Sequence, residues 1–542
     1  MELFCIIVFC FLLPLLVLVK PIKDCVKNNK SLFKDYKEEV ILFFILIVGS
    51  LVRLVAIGKF PNALNVDEAS SGYDAFSLMK YGVDRGGNSY PVYLYAWGSG
   101  QSVLYSYLMI PVLMITGLCE YGIRLPMAII GIISLYVFYY LIKNIFDNKR
   151  MALISVGFFA ICPWHIMKSR WGMECNIFPD IILLSTLLFV LGLKKKKTSL
   201  QILTFIGFAI SSYSYGTGYL FLPVYILGML GYLIYKKEIT IKKSIIYLLI
   251  MFVICIPIIL YIAINTFGLN QISIGKVTIP KLLVNRYDEV STVFSGNIIE
   301  NCVDNLLATL RILILQNDGL EWNAISQFGM FYIISIIFFV IGVKESLGKY
   351  KDNIYNQIMN IWMLAAIVLS AFCDANINRI NIIMIPCIYY IVVGIYEFLN
   401  KYKVATLCLG TIYIVLFAEF MYVYTSKDYN EYYTFTSGVE GVVDYCNSLD
   451  EDTVYCQYSF KEPFIYFMFY GETDVHEYLD TVQYYEESRT FDNIKSFGKY
   501  KFYLPSEIKE NSVIIVQKDT EKYYDEVCKN KVTINQFDIY EF

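Results

Sequence analysis

The sequence of residues 177–197 is IFPDIILLSTLLFVLGLKKKK, and this stretch decides the kind of fold that the chain adopts. Its first part, residues 177–193, is almost entirely apolar and approaches the roughly 20 residues that a helix needs to cross a bilayer. Four lysines, Lys194–Lys197, follow directly. Because lysine clusters are typical of the cytoplasmic ends of membrane helices, the stretch predicts a spanning helix that ends at the cytoplasm.

The composition of the whole chain agrees with a membrane protein. Of its 542 residues, 57 % are hydrophobic and 17 % are charged, and the mean hydropathy is +0.52. A soluble domain carries about 25 % charged residues, so this class is excluded. The net charge of −3 gives no sign of nucleic-acid binding. The 14 cysteines show no CxxC spacing and the chain has only two histidines, which argues against a zinc or histidine-rich metal centre.

Similar apolar segments recur up to residue 424. They lie at residues 2–19, 41–58, 122–142, 151–167, 200–216, 219–235, 244–264, 328–343, 358–373, 380–398 and 404–424. Every second connection carries lysines, namely residues 20–37, 143–150, 194–197, 236–243, 344–351 and 401–403. The other connections are acidic and aromatic: residues 59–121, 168–176, 265–327 and 374–379. The positive-inside rule places the lysines in the cytoplasm and the other set outside. We therefore predict an all-α polytopic membrane protein with about 11–13 transmembrane helices.

Two apolar segments need separate treatment. If residues 99–117 crossed the membrane, all later lysine-bearing connections would lie outside the cell. We therefore predict that residues 99–117 form an interfacial or re-entrant helix. Residues 2–19 lack the basic start and small-residue cleavage site of a signal peptide. We expect them to form an extra membrane helix, with residues 1–39 as an N-terminal unit.

The chain changes character near Ser426. Short β-rich stretches, such as Thr453–Tyr458 and Ser512–Val516, alternate with helix-like pieces there. This alternation predicts a small α/β domain at residues 426–542, which helix parity places outside the cell. The membrane domain then spans residues 40–425, with large outer loops at 59–121 and 265–327.

The first outer loop carries a group of acids in the stretch Asn65-Val66-Asp67-Glu68, followed by Asp74. Asn65 can cap a helix whose first turn holds Asp67 and Glu68, and the helix dipole favours negative charge at that end. One interpretation is that both acids only complete a helix start. The other is functional, because acids at a lipid interface are costly and often belong to a site.

Further candidates lie at other predicted outer helix ends. Glu174 lies in a short connection with Lys168 and Arg170, which can pair with it or bind phosphate. Arg379 lies beside Asn378, and its fork of donors suits phosphate oxygens. Glu174 can instead be an ordinary loop carboxylate, and Arg379 can instead be an arginine that snorkels at a helix end. For Arg53 and Arg124 we expect snorkelling. Asp74 and Gln101 are candidates for substrate binding. The candidates for sugar contacts are Arg286, Asp288, Gln316, Asp318, Glu321 and Trp322.

Several of these motifs together resemble the C-type (GT-C) membrane glycosyltransferases. The sequence is most similar to glycosyltransferase family 39, which includes protein O-mannosyltransferases and the lipid A aminoarabinose transferase. The resemblance covers roughly residues 40–400. The matching stretches are Val66-Asp67-Glu68-Ala69, Tyr121-Gly122-Ile123-Arg124-Leu125-Pro126, the loop at Glu174, and Asn378-Arg379 before Ile385-Pro386.

The resemblance implies a polyprenyl-phosphate sugar donor and an acceptor outside the cytoplasm, either a protein, a glycolipid or a cell-envelope polymer. It implies that Asp67 is the general base, that Glu68 orients the site or a water, and that Arg379 stabilises the leaving phosphate. Glu174 takes the place of an acid that is often aspartate in relatives. The family divides on metal dependence, and Asp67 and Glu174 can ligate Mg²⁺ or Mn²⁺ through oxygen.

Two other functions compete with a glycosyltransferase. A transporter or flippase of lipid-linked sugars would show repeats, broken helices and charges near the bilayer midplane. Here the charges lie at predicted helix ends and no repeat is visible. A membrane-anchored binding protein would use the domain at residues 426–542, but no catalytic or ligand-binding pattern is visible there.

The lysine alternation makes a prediction about topology. In a background without native cysteines, Asp480→Cys should react with an impermeant maleimide added to intact cells. Lys196→Cys should react only after permeabilisation, because it follows a cytoplasmic helix end. The reverse pattern would contradict the proposed outer location of the acids.

Overall fold

A computed structural model describes residues 1–28, 30–98, 100–282, 297–430, 437–449, 451–456, 462–485 and 494–542. The N-terminal part of the chain is helical. Its helices are α1 (Glu2–Asn28), α2 (Leu32–Asp35), α3 (Lys37–Leu54), α4 (Val66–Tyr81), α5 (Leu104–Thr116), α6 (Glu120–Phe146), α7 (Lys149–Ile161), α8 (Pro163–Arg170), α9 (Glu174–Lys194), α10 (Thr198–Ser211), α11 (Gly218–Tyr235) and α12 (Ile241–Phe267). A short hairpin, β1 (Ile272–Ile274) with β2 (Val277–Ile279), follows. The next helices are α13 (Ile298–Leu315), α14 (Ser335–Leu347), α15 (Ile354–Ala371), α16 (Met384–Lys401), α17 (Ala405–Tyr424) and α18 (Lys427–Asn430).

The predicted membrane segments coincide with helices. Within the described residues, eight helices are long and apolar enough to cross a membrane, and α7 with α8 gives a ninth if this pair, bent by 55°, is one span. The predicted number of 11–13 is higher, because it also included α3, which is rich in charge, and α10 and α14, with 14 and 13 residues. The prediction of a polytopic helical membrane protein is confirmed.

Helix α5 occupies the segment predicted to be interfacial. It has 13 residues and therefore a length of about 20 Å, too short for a hydrocarbon core of about 30 Å. The loop at 265–327 contains a helix that the sequence analysis did not assign, α13, with 18 residues.

The lysine-bearing connections meet at one end of the bundle, called here the lysine face. Lys194 donates to Asn144 O and Asp147 at 2.7 Å, and Lys349 donates to Glu397 at 2.8 Å. Arg150 reaches the Asn400 side chain at 3.2 Å. These contacts join connections that the sequence placed on one side.

Two glycines allow α14 and α16 to pack closely. A Cβ atom at Gly342 would lie 1.7 Å from Tyr390 O, and one at Gly394 would lie 1.9 Å from Phe338 O. Any side chain would push the helices apart, so this contact depends on glycine at both positions.

The C-terminal part forms the predicted α/β unit. Its elements are α19 (Val439–Ser448), β3 (Thr453–Cys456), α20 (Pro463–Tyr470), α21 (Val475–Thr481), β4 (Gln483–Tyr484), β5 (Ile494–Phe497), β6 (Tyr500–Lys501), β7 (Ser512–Gln517), α22 (Tyr524–Val527), β8 (Asn530–Ile534) and β9 (Phe537–Glu541). The strand order is β4-β5-β6-β3-β7-β9-β8. Strand β3 pairs in parallel with β6 and β7, and the other pairs are antiparallel. Residues 457–458 of the predicted first strand lie outside the described residues.

This unit packs on the first large loop rather than apart from it. Helix α20 lies against α4, and one hydrophobic core includes residues of α4, α5, α6 and the sheet. Tyr73 of α4 donates to Thr473 O at 2.8 Å. The end of the molecule formed by residues 59–121 and the C-terminal unit is called here the loop face.

Candidate functional site

Helix α4 begins with the predicted capping box. The Asp67 N–H donates to Asn65 Oδ1 at 2.9 Å, and the Asn65 N–H donates to Glu68 Oε2 at 3.2 Å. These bonds satisfy backbone donors that a helix start leaves without partners. Asp67 and Glu68 therefore occupy fixed positions at the positive end of the helix dipole.

Glu68 forms a fully buried ion pair with Arg124 of α6. Both side chains are 0 % exposed, and Arg124 Nε and Nη2 donate to the two Glu68 oxygens at 2.9 and 2.8 Å. The Gly172 N–H also donates to Glu68 Oε1, at 2.6 Å. Arg124 also donates hydrogen bonds to the carbonyl oxygens of Ile57, Pro61 and Ala63. Arg124 thus does not snorkel as expected, because its partners hold it inside the protein.

Asp67 has a different environment from its neighbour. It is partly exposed, and its Oδ1 accepts a hydrogen bond from Trp97 Nε1 at 3.1 Å. Successive helix residues point about 100° apart, so Glu68 faces the core while Asp67 faces Trp97. Of the two acids, Asp67 is the one whose side chain is partly exposed.

Glu174 is linked to α4 through two side chains. Gln101 Nε2 donates to Glu174 Oε2 at 2.7 Å, and Ser70 Oγ donates to Gln101 Oε1 at 3.2 Å. Gln101 was predicted to contact substrate, and in the structure it is a buried link to Glu174, being 2 % exposed. Glu174 is the first residue of α9 and is 8 % exposed.

Asp74, a predicted substrate contact, lies inside the loop instead. It is 0 % exposed, its Oδ1 accepts the Arg85 N–H at 3.0 Å, and its Oδ2 lies 3.9 Å from Arg85 Nη2. Burial raises the pKa of Asp74, although the charge of Arg85 opposes the rise. Burial, helped by the Asp74 charge, also raises the pKa of the neighbouring Asp84 to about 7.

Lys168 and Arg170, predicted to bind phosphate, are engaged inside the protein. Lys168 Nζ donates to Asp180 Oδ2 at 2.5 Å and to Asn176 O at 3.2 Å. Arg170 donates to the carbonyl oxygens of Val52, Ala56 and Phe60 at 2.8–3.0 Å. Arg170 therefore closes the end of α3, where helix carbonyls lack partners, and the geometry does not favour it as a phosphate ligand.

Arg53 is also internal rather than snorkelling. It is 0 % exposed, and its Nε donates to His165 Nδ1 at 3.1 Å. Because Nδ1 accepts this bond, a neutral His165 carries its proton on Nε2, which faces Asp180 Oδ1 at 3.6 Å. Asp180, which the sequence analysis did not single out, thereby joins His165 to Lys168.

A small cleft brings together three of the predicted residues. Lys168, Trp322 and Asn378 line it with Trp164 and Trp171, and its volume is about 10 Å³. Aromatic rings with amide groups are a suitable surface for a sugar. Asp318, a predicted sugar contact, instead accepts the Ile377 N–H and the Asn323 amide at 2.9 and 2.8 Å, which ties two sides of the cleft together.

A much larger apolar groove lies between α13, α14, α15 and α16. Its volume is about 700 Å³, and representative lining residues are Leu310, Phe339, Ile361 and Tyr390. Apolar runs do not predict this groove, because α13, which forms one wall, lies in a segment that the pattern assigns to a loop.

Two segments lead from the apolar groove to the small cleft. The first segment runs from Gln316, which lines the groove, to Trp322, which lines the cleft. The second segment runs from Asn378, which lines the cleft, to Ile383, which lines the groove. Arg379 lies on the second segment, next to Asn378. Its Nη1 donates to Asp374 Oδ2 at 2.8 Å, in a partly exposed ion pair.

No group of three His, Cys, Asp or Glu side chains is arranged to hold a metal ion within the described ranges. Asp67 and Glu174 thus form no three-ligand set with a third such side chain there.

Gln316 and Glu321, also named as sugar contacts, form hydrogen bonds within their own segment. The Phe331 N–H donates to Gln316 Oε1 at 2.9 Å, and Ser326 donates to Glu321 at 2.5 Å. Arg286 and Asp288 lie outside the described residues.

The buried ion pair makes a prediction about stability. Glu68→Gln keeps the shape but leaves Arg124 as an uncompensated buried charge, which should cost about 3–5 kcal/mol of stability. We expect a clearly lower melting temperature in detergent. Glu300→Gln, on an exposed position of α13, is the matched control and should melt like the wild type. Equal melting temperatures for Glu68→Gln and wild type would contradict a structural role of the pair.

Comparisons by sequence and by structure each found similar proteins. Residues 101–261 match the family model described as dolichyl-phosphate-mannose-protein mannosyltransferase, and no curated protein matches the chain. ArnT from Cupriavidus metallidurans bound to undecaprenyl phosphate is similar with a TM-score of 0.54 and 11 % identity, over 92 % of this chain and 97 % of that one. Its apo state gives a TM-score of 0.51 at 10 % identity, over 92 % of this chain and 97 % of that one.

The archaeal oligosaccharyltransferase AglB from Archaeoglobus fulgidus, in complex with an inhibitory peptide and a dolichol-phosphate, gives a TM-score of 0.49 at 11 % identity. The alignment covers 81 % of this chain, which spans 64 % of the length of AglB. At such identities the similarity to ArnT establishes the fold, and the family match adds evidence from sequence. Both findings support the resemblance to the C-type (GT-C) membrane glycosyltransferases.

Proposed function

We propose that this protein transfers a sugar from a polyprenyl-phosphate donor to an acceptor on the extracytoplasmic side of the membrane. The observation that carries the proposal is the pair of segments that connect a 700 Å³ apolar groove with an aromatic and polar cleft. A prenyl-phosphate sugar has the same order of parts: an apolar chain, a charged phosphate and a polar sugar. The family description and the ligand of ArnT, which both name a prenyl phosphate, support this choice.

The donor fits this layout in one orientation. The prenyl chain lies in the groove, where it buries apolar surface, and the sugar lies over the mouth of the cleft, since the cleft itself is too small to contain it. The phosphate then lies near the segment of residues 378–383, which includes Arg379. The Arg379–Asp374 pair is partly exposed and therefore weak, so a phosphate can replace Asp374 as the partner.

The proposed chemistry is a displacement at the anomeric carbon. The acceptor hydroxyl attacks this carbon while its proton passes to the Asp67 carboxylate. The bond from the anomeric carbon to the phosphate oxygen breaks, and the phosphate leaves with the electron pair, stabilised by Arg379. Glu174 is the second acid of the proposed site, held by Gln101. Mannose or another hexose as the sugar, and a protein, glycolipid or cell-envelope polymer as the acceptor, belong to the proposal.

A transfer assay tests the function directly. Purified protein in lipid vesicles is incubated with a panel of polyprenyl-phosphate sugars, and glycosyl transfer or slow donor hydrolysis is measured. We expect turnover with at least one donor. Movement of intact donor between leaflets, without transfer or hydrolysis, would favour a transporter instead.

Asp67→Asn tests the assignment of the base. Asparagine keeps an acceptor oxygen for Trp97 Nε1 but cannot take up the proton, so turnover should fall at least about a hundred-fold while donor binding is unchanged. Asp480→Asn, at an exposed position on the loop face, is the control and should be fully active. If Asp67→Asn retains more than about a tenth of wild-type turnover, the base is another residue, and Glu174 is the next candidate.

Arg379→Ala tests the phosphate contact. Loss of a charge-assisted hydrogen bond should weaken donor binding about ten- to a hundred-fold, and Arg379→Lys should restore only part of it. Asp374→Asn separates this role from the ion pair, because it frees Arg379 and should leave donor binding equal or tighter. If Asp374→Asn weakens donor binding as much as Arg379→Ala does, the ion pair itself is what matters.

A further inference from the structure

Arg85 is a buried arginine in the turn after α4 that none of the steps above uses. Its side chain is 1 % exposed, and it lies beside Asp74, with Nη2 3.9 Å from Asp74 Oδ2. Desolvating a guanidinium is costly, so a fully buried arginine is usually held by several partners. Two of its contacts lead toward the two acids of the proposed site.

The first contact leads to Asp67 through Trp97. The guanidinium carbon of Arg85 lies 5.0 Å from the centre of the Trp97 ring, which is a cation–π distance. Phe464 of α20 contacts both groups, at 5.9 Å from the Arg85 guanidinium and with its ring 6.1 Å from Trp97. The Trp97 ring is thereby held by contacts with Arg85 and Phe464, and its Nε1 donates to Asp67 Oδ1.

The second contact leads to Glu174 through two hydrogen bonds. Arg85 Nη2 donates to Ser70 Oγ at 2.8 Å, which leaves the hydroxyl proton of Ser70 to point toward Gln101 Oε1. The amide of Gln101 is then oriented with its Nε2 toward Glu174. Each group in this chain donates to the next, and such directional chains strengthen their members.

We propose that Arg85 is a positioning residue, whose one buried guanidinium sets the orientation of both acids, Asp67 through Trp97 and Glu174 through Ser70 and Gln101. The inference rests on the proposed function for its catalytic consequence, whereas the orientation of Trp97 is independent of it. Phe464 extends the arrangement to the C-terminal unit, because it contacts both Arg85 and Trp97.

Arg85→Lys is the main variant, because it keeps a positive charge beside Asp74 and so should fold. A lysine lacks the planar guanidinium over Trp97 and cannot contact both Trp97 and Ser70 in the same way. We expect kcat to fall about tenfold or more with an unchanged KM for the donor, since misorientation of a base affects the reaction step. Arg150→Lys, on the lysine face, is the matched control and should keep wild-type kinetics. An unchanged kcat for folded Arg85→Lys would overturn the proposal.

A double-mutant cycle tests the branch through Trp97. Trp97→Phe keeps a ring for stacking but removes the hydrogen bond to Asp67. Arg85→Lys should therefore lower kcat much less in the Trp97→Phe background than in the wild type. Ser70→Ala, which cuts only the other branch, should leave most of the Arg85–Trp97 coupling intact. Additive effects of Arg85→Lys and Trp97→Phe would show that Arg85 does not act through Trp97.

A spectroscopic measurement separates this inference from the proposed function. The chain has five tryptophans, so ¹⁹F spectra of protein labelled with 5-fluorotryptophan contain five signals, and Trp97→Phe identifies one of them. Arg85→Lys should shift the Trp97 signal, and Arg150→Lys should not. A shift without transfer activity in the wild type would contradict the proposed function alone. An unmoved Trp97 signal would overturn the role of Arg85.

Discussion

The buried ion pair of Glu68 and Arg124 is the contact on which the loop face depends. Arg124 gathers the carbonyl oxygens of residues 57–63, and Glu68 accepts the N–H of Gly172 from the connection between α8 and α9. A desolvated charge pair is stable only when its hydrogen bonds are complete. Loss of any one of these contacts should therefore loosen the packing of residues 57–63, of the start of α4 and of the connection at Gly172. Because Asp67 is adjacent to Glu68 in the same helix turn, the pair also fixes the acid that is proposed as the general base.

Local patterns in the sequence predicted the elements well. The apolar segments, the lysine-bearing connections and the capping box at Asn65 each depend on residues close together in the chain, and all three correspond to the structure. The strands at Thr453–Cys456 and Ser512–Gln517 were visible for the same reason, since alternation along a strand is a local signal.

The partners of the buried charges could not be predicted in this way. Arg124 lies 56 residues from Glu68, and Arg53 lies 112 residues from His165. A single sequence shows only that both arginines are near helix ends, which is also where snorkelling arginines occur. The same limit applies to Arg170, whose carbonyl partners lie in the last turn of α3 and in the residues that follow it. Arg85 lies in a glycine-containing turn, and nothing in the sequence marks it as buried.

The groove required a helix in a segment that looked like a loop. One side of α13 carries polar residues such as Asn305 and Thr309, and the other carries exposed apolar residues such as Leu307 and Leu310. Such a helix is typical of the membrane interface, where it needs no continuous apolar run. It is therefore invisible to a search for spanning segments, although it supplies a wall of the proposed donor site.

The position of the C-terminal unit bears on how the proposed site is built. The composition of the chain changes near Ser426, but the packing does not divide there, because α20 shares a core with α4. Tyr466 donates to Leu64 O just before the capping box, and Phe464 touches Trp97. Removing residues 426–542 would expose the apolar side of α4 to water and release the ring that contacts Asp67. The C-terminal unit is thus part of the wall of the proposed site, so an acceptor that binds this unit would lie close to Asp67, the proposed base.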